Sequence, residues 1–470
     1  MSAIPPLLGG SRHEATFALY LRHAFSPPWS GRAITSARVF YGFFNLHASP
    51  QKPNRLRSST PENRLAVNMV KVIGLNSGSS FDGIDVVAVE IENGPDGYPA
   101  RPKFIRGDSY PWPKSVADIV LKSFENKISI FELCRLNYLA GAVYAESARS
   151  FMKESKLKPG DVEVIGFDGQ TIYQEPPVHA RLREYDTNKD LVARWLDGPY
   201  PCGLQIGEPA IVAAACETPA VTHFRTMDHA LGGTGAPLMQ YLDYVAFRDI
   251  GPILTLNIGG IANCQLAHKD RSKMMAFDTG PGNVMLDHVM RVRRSKAYDA
   301  DGQLARTGRV EDKLMSKFKK HDFFARPIPR SAWRLDFGSA YADAFLKEYS
   351  YLSDADMMAT VTEFAAYAIA RSIVDNVNSL SEIKTIMASG GGTRNGHLME
   401  RLRAHLPQSL RLTLSDEFGV PAAFKEAIKF ATLAHATVNL LANNIPAASG
   451  AVKFGVLGKL VQPPRVAKGV

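Results

Sequence analysis

The chain has 470 residues, 45% of them apolar, and carries 55 Lys and Arg against 46 Asp and Glu, a formal net charge of +9. That length is enough for two buried cores, and no run approaches the ~18 consecutive apolar residues of a membrane span. The four cysteines (Cys134, Cys202, Cys216, Cys264) share no CxxC spacing, which argues against a disulfide framework or a zinc site and for reduced thiols in an intracellular compartment.

The positive charge is concentrated at one end. Residues 1–68 hold eight basic residues (Arg12, Arg22, Arg32, Arg38, Lys52, Arg55, Arg57, Arg64) and two acids (Glu14, Glu62), a net +6 that leaves +3 for the rest. The body has no basic stripe interleaved with aromatics, so no nucleic-acid partner is expected, and no membrane either. The first 68 residues are rich in Arg, Ser and Pro and poor in acids. That composition fits a mitochondrial transit peptide and equally a non-native leader upstream of Met69, which directly precedes the first convincing strand. On either origin a disordered or poorly packed leader is expected. The location is then cytoplasmic, or mitochondrial if the leader is a genuine transit peptide.

Val70 to Ile91, VKVIGLNSGSSFDGIDVVAVEI, reads as strand, Gly/Ser-rich turn, strand, with Val and Ile alternating on both sides. An alanine-rich helix over Arg135 to Leu157 follows, closed by KPGD. Val162 to Phe167 is a buried strand that delivers Asp168-Gly169-Gln170-Thr171 at its C-terminal end, where open α/β sheets bind ligands. Residues 175–203, with several prolines and charges, read as a surface excursion. A helix over Ala210 to Cys216 precedes VTHFRTMDHALGGTGAPL, in which an Arg and an Asp lie beside a glycine loop.

Ile253 to Leu266, ILTLNIGGIANCQL, repeats the first design of β-rich arm, glycine turn and β-rich arm. Such turns line up backbone N–H groups into anion-binding concavities, although glycine hairpins are common in any case. Two of them point to two related α/β domains holding phosphates between them. Next comes AFDTGPGN, Ala276 to Asn283, where Asp278 stands between an apolar lead and a Gly-Pro-Gly turn. A carboxylate there can take a proton from an attacking hydroxyl or water, and the glycines leave no Cβ to hold a charged substrate away. An isolated DTGPG is as readily a plain surface turn.

Helices are expected over Asn283 to Val292 and Val361 to Ser379. A short buried strand, Ile383 to Ala388, runs into SGGGT with a helix from about Asn395, which is either a nucleotide-binding arrangement or an ordinary tight turn. Pro421 opens a last long helix through about Leu441, and Phe454 to Leu457 reads as a closing strand.

From about Val70 to Pro464 the chain resembles the anhydro-N-acetylmuramic acid kinases and, within them, the levoglucosan kinase branch. The motifs that carry the resemblance are GLNSGSSFDGID (Gly74 to Asp85), DGQT (Asp168 to Thr171), LQIGEPA (Leu204 to Ala210), FR-x-x-D (Phe224 to Asp228), GGTGAPL (Gly232 to Leu238), NIGGIAN (Asn257 to Asn263), FDTGPGN (Phe277 to Asn283), GGG (Gly390 to Gly392) and GVPAAFKEA (Gly419 to Ala427). The last of these, with VLGK at Val456 to Lys459, looks closer to the levoglucosan branch. The resemblance implies an α/β, two-lobed actin-like ATPase and sugar-kinase fold with an interdomain cleft. Residues 69–250 with 440–470 would form lobe I and residues 251–439 lobe II, leaving residues 1–68 as the leader.

It further implies ATP and Mg2+ as cofactors and a small-molecule anhydro-sugar as the substrate, and it allows a homodimer. Carried over by position, Gly78, Ser79, Ser80, Phe81, Asp82, Gly83, Ile84 and Asp85 form the first phosphate loop. Asn257, Gly259 and Gly260 form the second, and Gly390, Gly391 and Gly392 border the adenine nucleotide. Asp278 matches the catalytic base. Asp168, Gln170, His223, Arg225, Gly235, Gly280 and Gly282 fall on the sugar side, and Asp82, Asp278 and Glu426 are the candidate metal ligands.

The family reaction is phosphorylation of a 1,6-anhydro sugar with opening of the bridge to give the 6-phosphate. A non-catalytic nucleotide-binding relative and a sugar kinase using a free hydroxyl remain the alternatives. Three sugar-side positions depart from the family pattern. Asp168 stands where His is usual before GQT, His223 where Asp is usual before FR, and Thr234 where Gln is usual in GGTGAPL. The first two look like a swap, which predicts a hydrogen bond between Asp168 and His223 and a charged imidazolium.

Overall fold

The alternating Val and Ile of VKVIGLN and IDVVAVEI form two antiparallel strands, β1 (Val70–Asn76) and β2 (Ile84–Ile91), in register from Val70 opposite Ile91 to Asn76 opposite Asp85. The computed structural model describes residues 69–78, 83–175, 190–196, 200–332 and 334–464. The leader 1–68, most of the excursion at 175–203, and Ser79, Ser80, Phe81 and Asp82 of the first glycine turn lie outside the described residues. A third strand, β3 (Lys103–Tyr110), pairs with β2 and was not evident in the sequence, because KFIRGDSY alternates half-buried and exposed positions without an apolar run.

The helix expected from Arg135 begins earlier, as α1 (Ile130–Glu154). Its start is fixed by a capping box. Ser129 Oγ accepts the Glu132 N–H, and Glu132 Oε2 accepts the Ser129 N–H at 2.7 Å. Leu136, Ala140, Tyr144, Ala148 and Phe151, at helical spacing, face the first core. The strand β4 (Val162–Phe167) lies parallel to β1, and β5 (Gln170–Glu175) with β6 (Cys202–Ile206) forms a separate two-stranded ribbon. After α2 (Pro209–Cys216) come β7 (Ala220–Thr222), α3 (Phe224–Ala230) and α4 (Met239–Phe247).

The second sheet starts with the expected hairpin, β8 (Ile253–Ile258) and β9 (Ile261–Ala267). Every residue of β8 is buried, which explains its unbroken apolar reading. The stretch around Asp278 departs from expectation. It is a strand, β10 (Met275–Pro281), paired antiparallel to β9 and not a turn. The register shifts between Asp278, opposite Asn263, and Gly280, opposite Ala262, so Thr279 is an extra residue in the ladder. Bulges of this kind re-aim neighbouring side chains, and Gly280 at φ +135° supplies the conformation that the bulge needs. Then follow α5 (Val284–Arg294), α6 (Asp354–Asn376), β11 (Thr385–Ser389), α7 (Gly396–His405) and β12 (Arg411–Leu414), giving the order β10-β9-β8-β11-β12.

The last long helix, α8 (Lys425–Val438), begins four residues after Pro421, beyond a short turn. Although it lies within 251–439, α8 packs on β1, β2 and β4 of the first sheet. Two glycines make that contact close. Gly74 and Gly166 are partners in the β1/β4 register. A Cβ on Gly74 would lie 2.0 Å from Ala427 O, and one on Gly166 2.3 Å from Phe430 O. The apolar cluster under α8 also takes in Ile253, Ala267 and Ala276 of the second sheet.

The closing strand is not Phe454 to Leu457 but β13 (Lys459–Val461), antiparallel to β7, which completes the first sheet as β13-β7-β4-β1-β2-β3. Phe454 is exposed. Leu457 is buried but held by side chains, its N–H on Asn443 Oδ1 at 2.6 Å and its carbonyl on Thr437 Oγ1 at 2.6 Å. None of the four cysteines is bonded to another. Among the described residues no helix is long and apolar enough to cross a membrane.

Candidate active site

Asp278 is 8% exposed, and its carboxylate Oδ2 accepts the Ala332 N–H at 2.7 Å. Its main chain is tied to the same segment: the Asp278 N–H donates to Arg330 O at 2.9 Å. Arg330 Nε donates back to Asp278 O at 3.2 Å. Burial pushes the Asp278 carboxyl up to about 7, against the opposing pull of the Ala332 N–H and of the Arg330 and Arg225 guanidiniums. A carboxyl poised there is half ionised near neutrality, the condition a general base needs.

Three glycine turns converge beside this strand. Gly282 N–H donates to Gly260 O at 2.8 Å and Asn283 N–H to Gly259 O at 2.9 Å, which seats the Gly-Pro-Gly turn on the turn between β8 and β9. A Cβ on Gly282 would lie 2.3 Å from Gly259 O. The glycines after β11 pack on the same turn. A Cβ on Gly390 would meet Asn257 Oδ1 and Ile258 O at 2.7 Å, and one on Gly392 would meet Ile258 Cγ2 at 2.3 Å. Close packing therefore explains Gly390 and Gly392 without a ligand. Gly391 differs, because a Cβ there would meet nothing within 4 Å.

Asn257 joins these turns to α8. Its Nδ2 donates to Glu426 Oε1 at 2.7 Å, and its Oδ1 lies 3.3 Å from Ser389 Oγ. Of the first phosphate loop, Gly78, Gly83, Ile84 and Asp85 are described. The Ile84 side chain is wholly buried in the first core, so only its main chain can face a ligand. Asp85 accepts Ser109 Oγ at 2.5 Å. Among the described residues no group of three His, Cys, Asp or Glu side chains could by itself hold a metal. Magnesium asks for only one or two carboxylates and keeps most of its waters, and Glu426 has a second oxygen beyond the one that Asn257 holds.

The residues expected on the sugar side do not form the pair that the swap predicts. Asp168 is 2% exposed; its Oδ1 accepts the Phe224 N–H at 3.1 Å and its Oδ2 the Arg225 Nε at 2.5 Å. It thus caps α3 and holds Arg225, with no bond to His223. His223 sits at φ +55° with a buried Nδ1 that has no partner among the described residues. Its pKa is lowered, because burial outweighs the pull of Asp168, so the imidazole is neutral where a charged one was expected. Gln170 accepts Ser77 Oγ at 2.7 Å and steadies the end of β1.

Gly235 has a packing reason of its own, since a Cβ would lie 1.9 Å from His229 Nε2. Its N–H donates to Asp228 Oδ2 at 2.9 Å, and Ser449 Oγ donates to Asp228 Oδ1 at 2.8 Å. Thr234 is buried, and among the described residues its Oγ1, like His223 Nδ1, has no hydrogen-bond partner.

Sequence reasoning missed Arg330 and Lys429. Arg330 lies in a stretch without a recognisable pattern, and Lys429 is an ordinary helix former in the sequence. It also missed the buried ion pair of Lys425 with Asp243, both 0% exposed and 2.8 Å apart.

A mixed-sheet α/β fold consistent with the actin, Hsp70 and sugar-kinase superfamily, with a buried carboxylate beside glycine turns, is the setting of a phosphotransferase. Residues 70–463 match the family described as anhydro-N-acetylmuramic acid kinase, and the chain belongs to that family, which makes it an enzyme of the kinase class. The kinase of that name from Caldanaerobacter subterraneus subsp. tengcongensis is 34% identical over 397 residues, covering 83% of this chain and 96% of its own. The Bacillus cereus (strain AH820) protein of the same name is 33% identical over 398 residues, covering 84% and 99%.

Proposed function

We propose that the chain transfers the γ-phosphoryl group of ATP, with Mg2+, to a 1,6-anhydro sugar of the levoglucosan or anhydro-N-acetylmuramic acid type, opening the anhydro bridge to give the 6-phosphate. The observation that carries this is the Asp278 carboxyl, buried on a strand bulge, held by the Ala332 N–H, and raised to about 7 within electrostatic reach of Arg225. In the anhydro-N-acetylmuramic acid case Asp278 takes a proton from the water that adds at the anomeric carbon. The bridging C–O bond breaks, and its oxygen takes the phosphoryl group. Arg225, steadied by Asp168, orients the sugar. Mg2+ supplies neutralisation of phosphate charge. The turns at Asn257 to Gly260 and Gly390 to Gly392 present bare main chain to the nucleotide, in a cleft between two lobes that closes on binding.

The levoglucosan branch is the narrower assignment, resting on GVPAAFKEA and VLGK. The test incubates the protein with ATP, Mg2+ and levoglucosan or 1,6-anhydro-N-acetylmuramic acid, against the corresponding reducing sugars, following ADP release and product mass. A 6-phosphate formed from the anhydro sugar alone is the expected result. Turnover of the reducing sugars alone would assign a free-hydroxyl kinase, and nucleotide binding without any turnover a non-catalytic relative.

A further inference from the structure

Lys429 is a buried lysine whose ammonium makes no ion pair among the described residues. It lies on α8 three residues after Glu426, a spacing that places the two side chains side by side on the helix surface. The residue is 8% exposed, and among the described residues its Nζ makes neither an ion pair nor a hydrogen bond. Its contact is the ring of Phe430, with Nζ 4.1 Å from the centroid, and that ring stacks on Phe224 at the start of α3. Burial pushes the lysine below its usual range. Glu426 and Asp168 oppose that shift, while Arg225 and Lys425 add to it. The Phe430–Phe224 stack sets Lys429 beside the start of α3, where Arg225 pairs with Asp168, and the helical spacing sets it beside Glu426, which is bonded to Asn257 at the turn after β8.

Arg225 is incompletely used in the same place. It gives Nε to Asp168, and among the described residues its two Nη atoms find no acceptor. A desolvated ammonium with no acceptor is costly to fold around. Here it lies near a second cation with free donors. Such an arrangement is sustained by a ligand that brings several anionic oxygens. Levoglucosan brings only neutral hydroxyls and 1,6-anhydro-N-acetylmuramic acid a single lactyl carboxylate on one side, and the adenosine end lies with the glycine turns on the other. The group with three anionic oxygens that belongs between them is the one in transit.

We propose that Lys429, together with the Nη atoms of Arg225, contacts the γ-phosphoryl group of ATP as it passes to the sugar oxygen. This rests on the phosphoryl-transfer function proposed above. In that step the bond from phosphorus to the acceptor oxygen forms as the bond to the bridging oxygen of ADP breaks, and ADP keeps the electron pair. Lys429 and Arg225 donate hydrogen bonds to the equatorial oxygens and transfer no proton.

The test labels the full chain with acetic anhydride and reads acetylation at Lys429 by mass spectrometry. The probes are Mg2+ with AMP-PNP, Mg2+ with ADP, and 1,6-anhydro-N-acetylmuramic acid or levoglucosan alone. Saturating AMP-PNP is expected to cut labelling about tenfold, while ADP and the sugars leave it nearly unchanged. Equal protection by ADP, protection by a sugar alone, or bound AMP-PNP without protection would each overturn the assignment while leaving kinase function standing. Absence of AMP-PNP binding by calorimetry would remove the proposed function and this contact together.

A second arm uses Lys429→Met, with folding checked by circular dichroism. It is expected to weaken AMP-PNP by about tenfold relative to ADP and to lower kcat by about 10²-fold. An unchanged AMP-PNP to ADP affinity ratio contradicts a direct contact. If the variant does not fold, the labelling of the wild-type chain decides.

Discussion

Asp278 and Arg330 clasp one another through their main chains: the Asp278 N–H donates to Arg330 O at 2.9 Å, and Arg330 Nε returns a bond to Asp278 O at 3.2 Å. Among the described residues the guanidinium makes no ion pair. Its remaining donors go to Phe324 O at 3.1 Å, Arg326 O at 3.2 Å and Ser372 Oγ at 2.9 Å, so its charge is left to act on Asp278. Arg330→Met should therefore raise the Asp278 pKa further and move the acid limb of the activity profile to higher pH. Arg330→Lys should move it less. An identical limb in wild type and Arg330→Met would show that the guanidinium is only a packing element.

Asp278→Asn should lower turnover by about 10²-fold or more while ATP affinity changes little. In the wild type, kcat/KM should rise with pH through about 7, where the buried carboxyl ionises. Turnover of the Asn variant within a few-fold of wild type would exclude Asp278 as the base.

The same carboxyl makes a statement about stability. Its folded pKa lies above the ordinary value of 3.8, so between 3.8 and about 7 the native state holds a proton that the unfolded chain has released. The stabilisation from that protonated group is fully present at low pH and lost as pH rises through about 7. Asp278→Asn should thus raise Tm over wild type more at pH 8 than at pH 5. A gain independent of pH would contradict the shift.

The residues of this candidate site stand out in the sequence to different degrees, for reasons that differ by residue. The glycine turns were visible because close main-chain packing excludes every other residue type, as Gly282 against Gly259 O demonstrates. Asp278 stood out in the sequence, but its setting in a bulged strand did not, since a single inserted residue leaves no periodic trace. Lys425 and Asp243 are nearly two hundred positions apart in sequence, and nothing local announces their pairing. The expected Asp168–His223 bond failed for a definite reason: Phe224 N–H and Arg225 already occupy the carboxylate.

That geometry reverses one expectation for a double variant. Asp168→His with His223→Asp should be no more active than the worse single change, because the two side chains are not partners. Asp168→Asn alone should raise the sugar KM by roughly tenfold or more by weakening the charged bond to Arg225, with nucleotide affinity retained. Recovery of activity in the double variant would restore the paired arrangement.

The buried Lys425–Asp243 pair should be a point of fragility. Thr255 Oγ1 donates to Asp243 Oδ2 at 2.5 Å, so the carboxylate is already embedded in a polar contact. Lys425→Met or Asp243→Leu should each cost about 3–5 kcal/mol by leaving one charge unpaired in the core. The combined variant should recover much of that loss, a non-additivity measurable by denaturant unfolding. Simple additivity would mean that the pair is not coupled.

Gly74 and Gly166 give α8 a seat that admits no shim. With Ala427 O and Phe430 O pressed against the places where Cβ atoms would stand, the helix can neither slide nor roll without colliding with the sheet beneath it. Glu426 and Lys429 are therefore fixed points, set by the core and indifferent to the acceptor. A change of acceptor then falls to side chains on the loops, where Asp168, His223 and Thr234 lie.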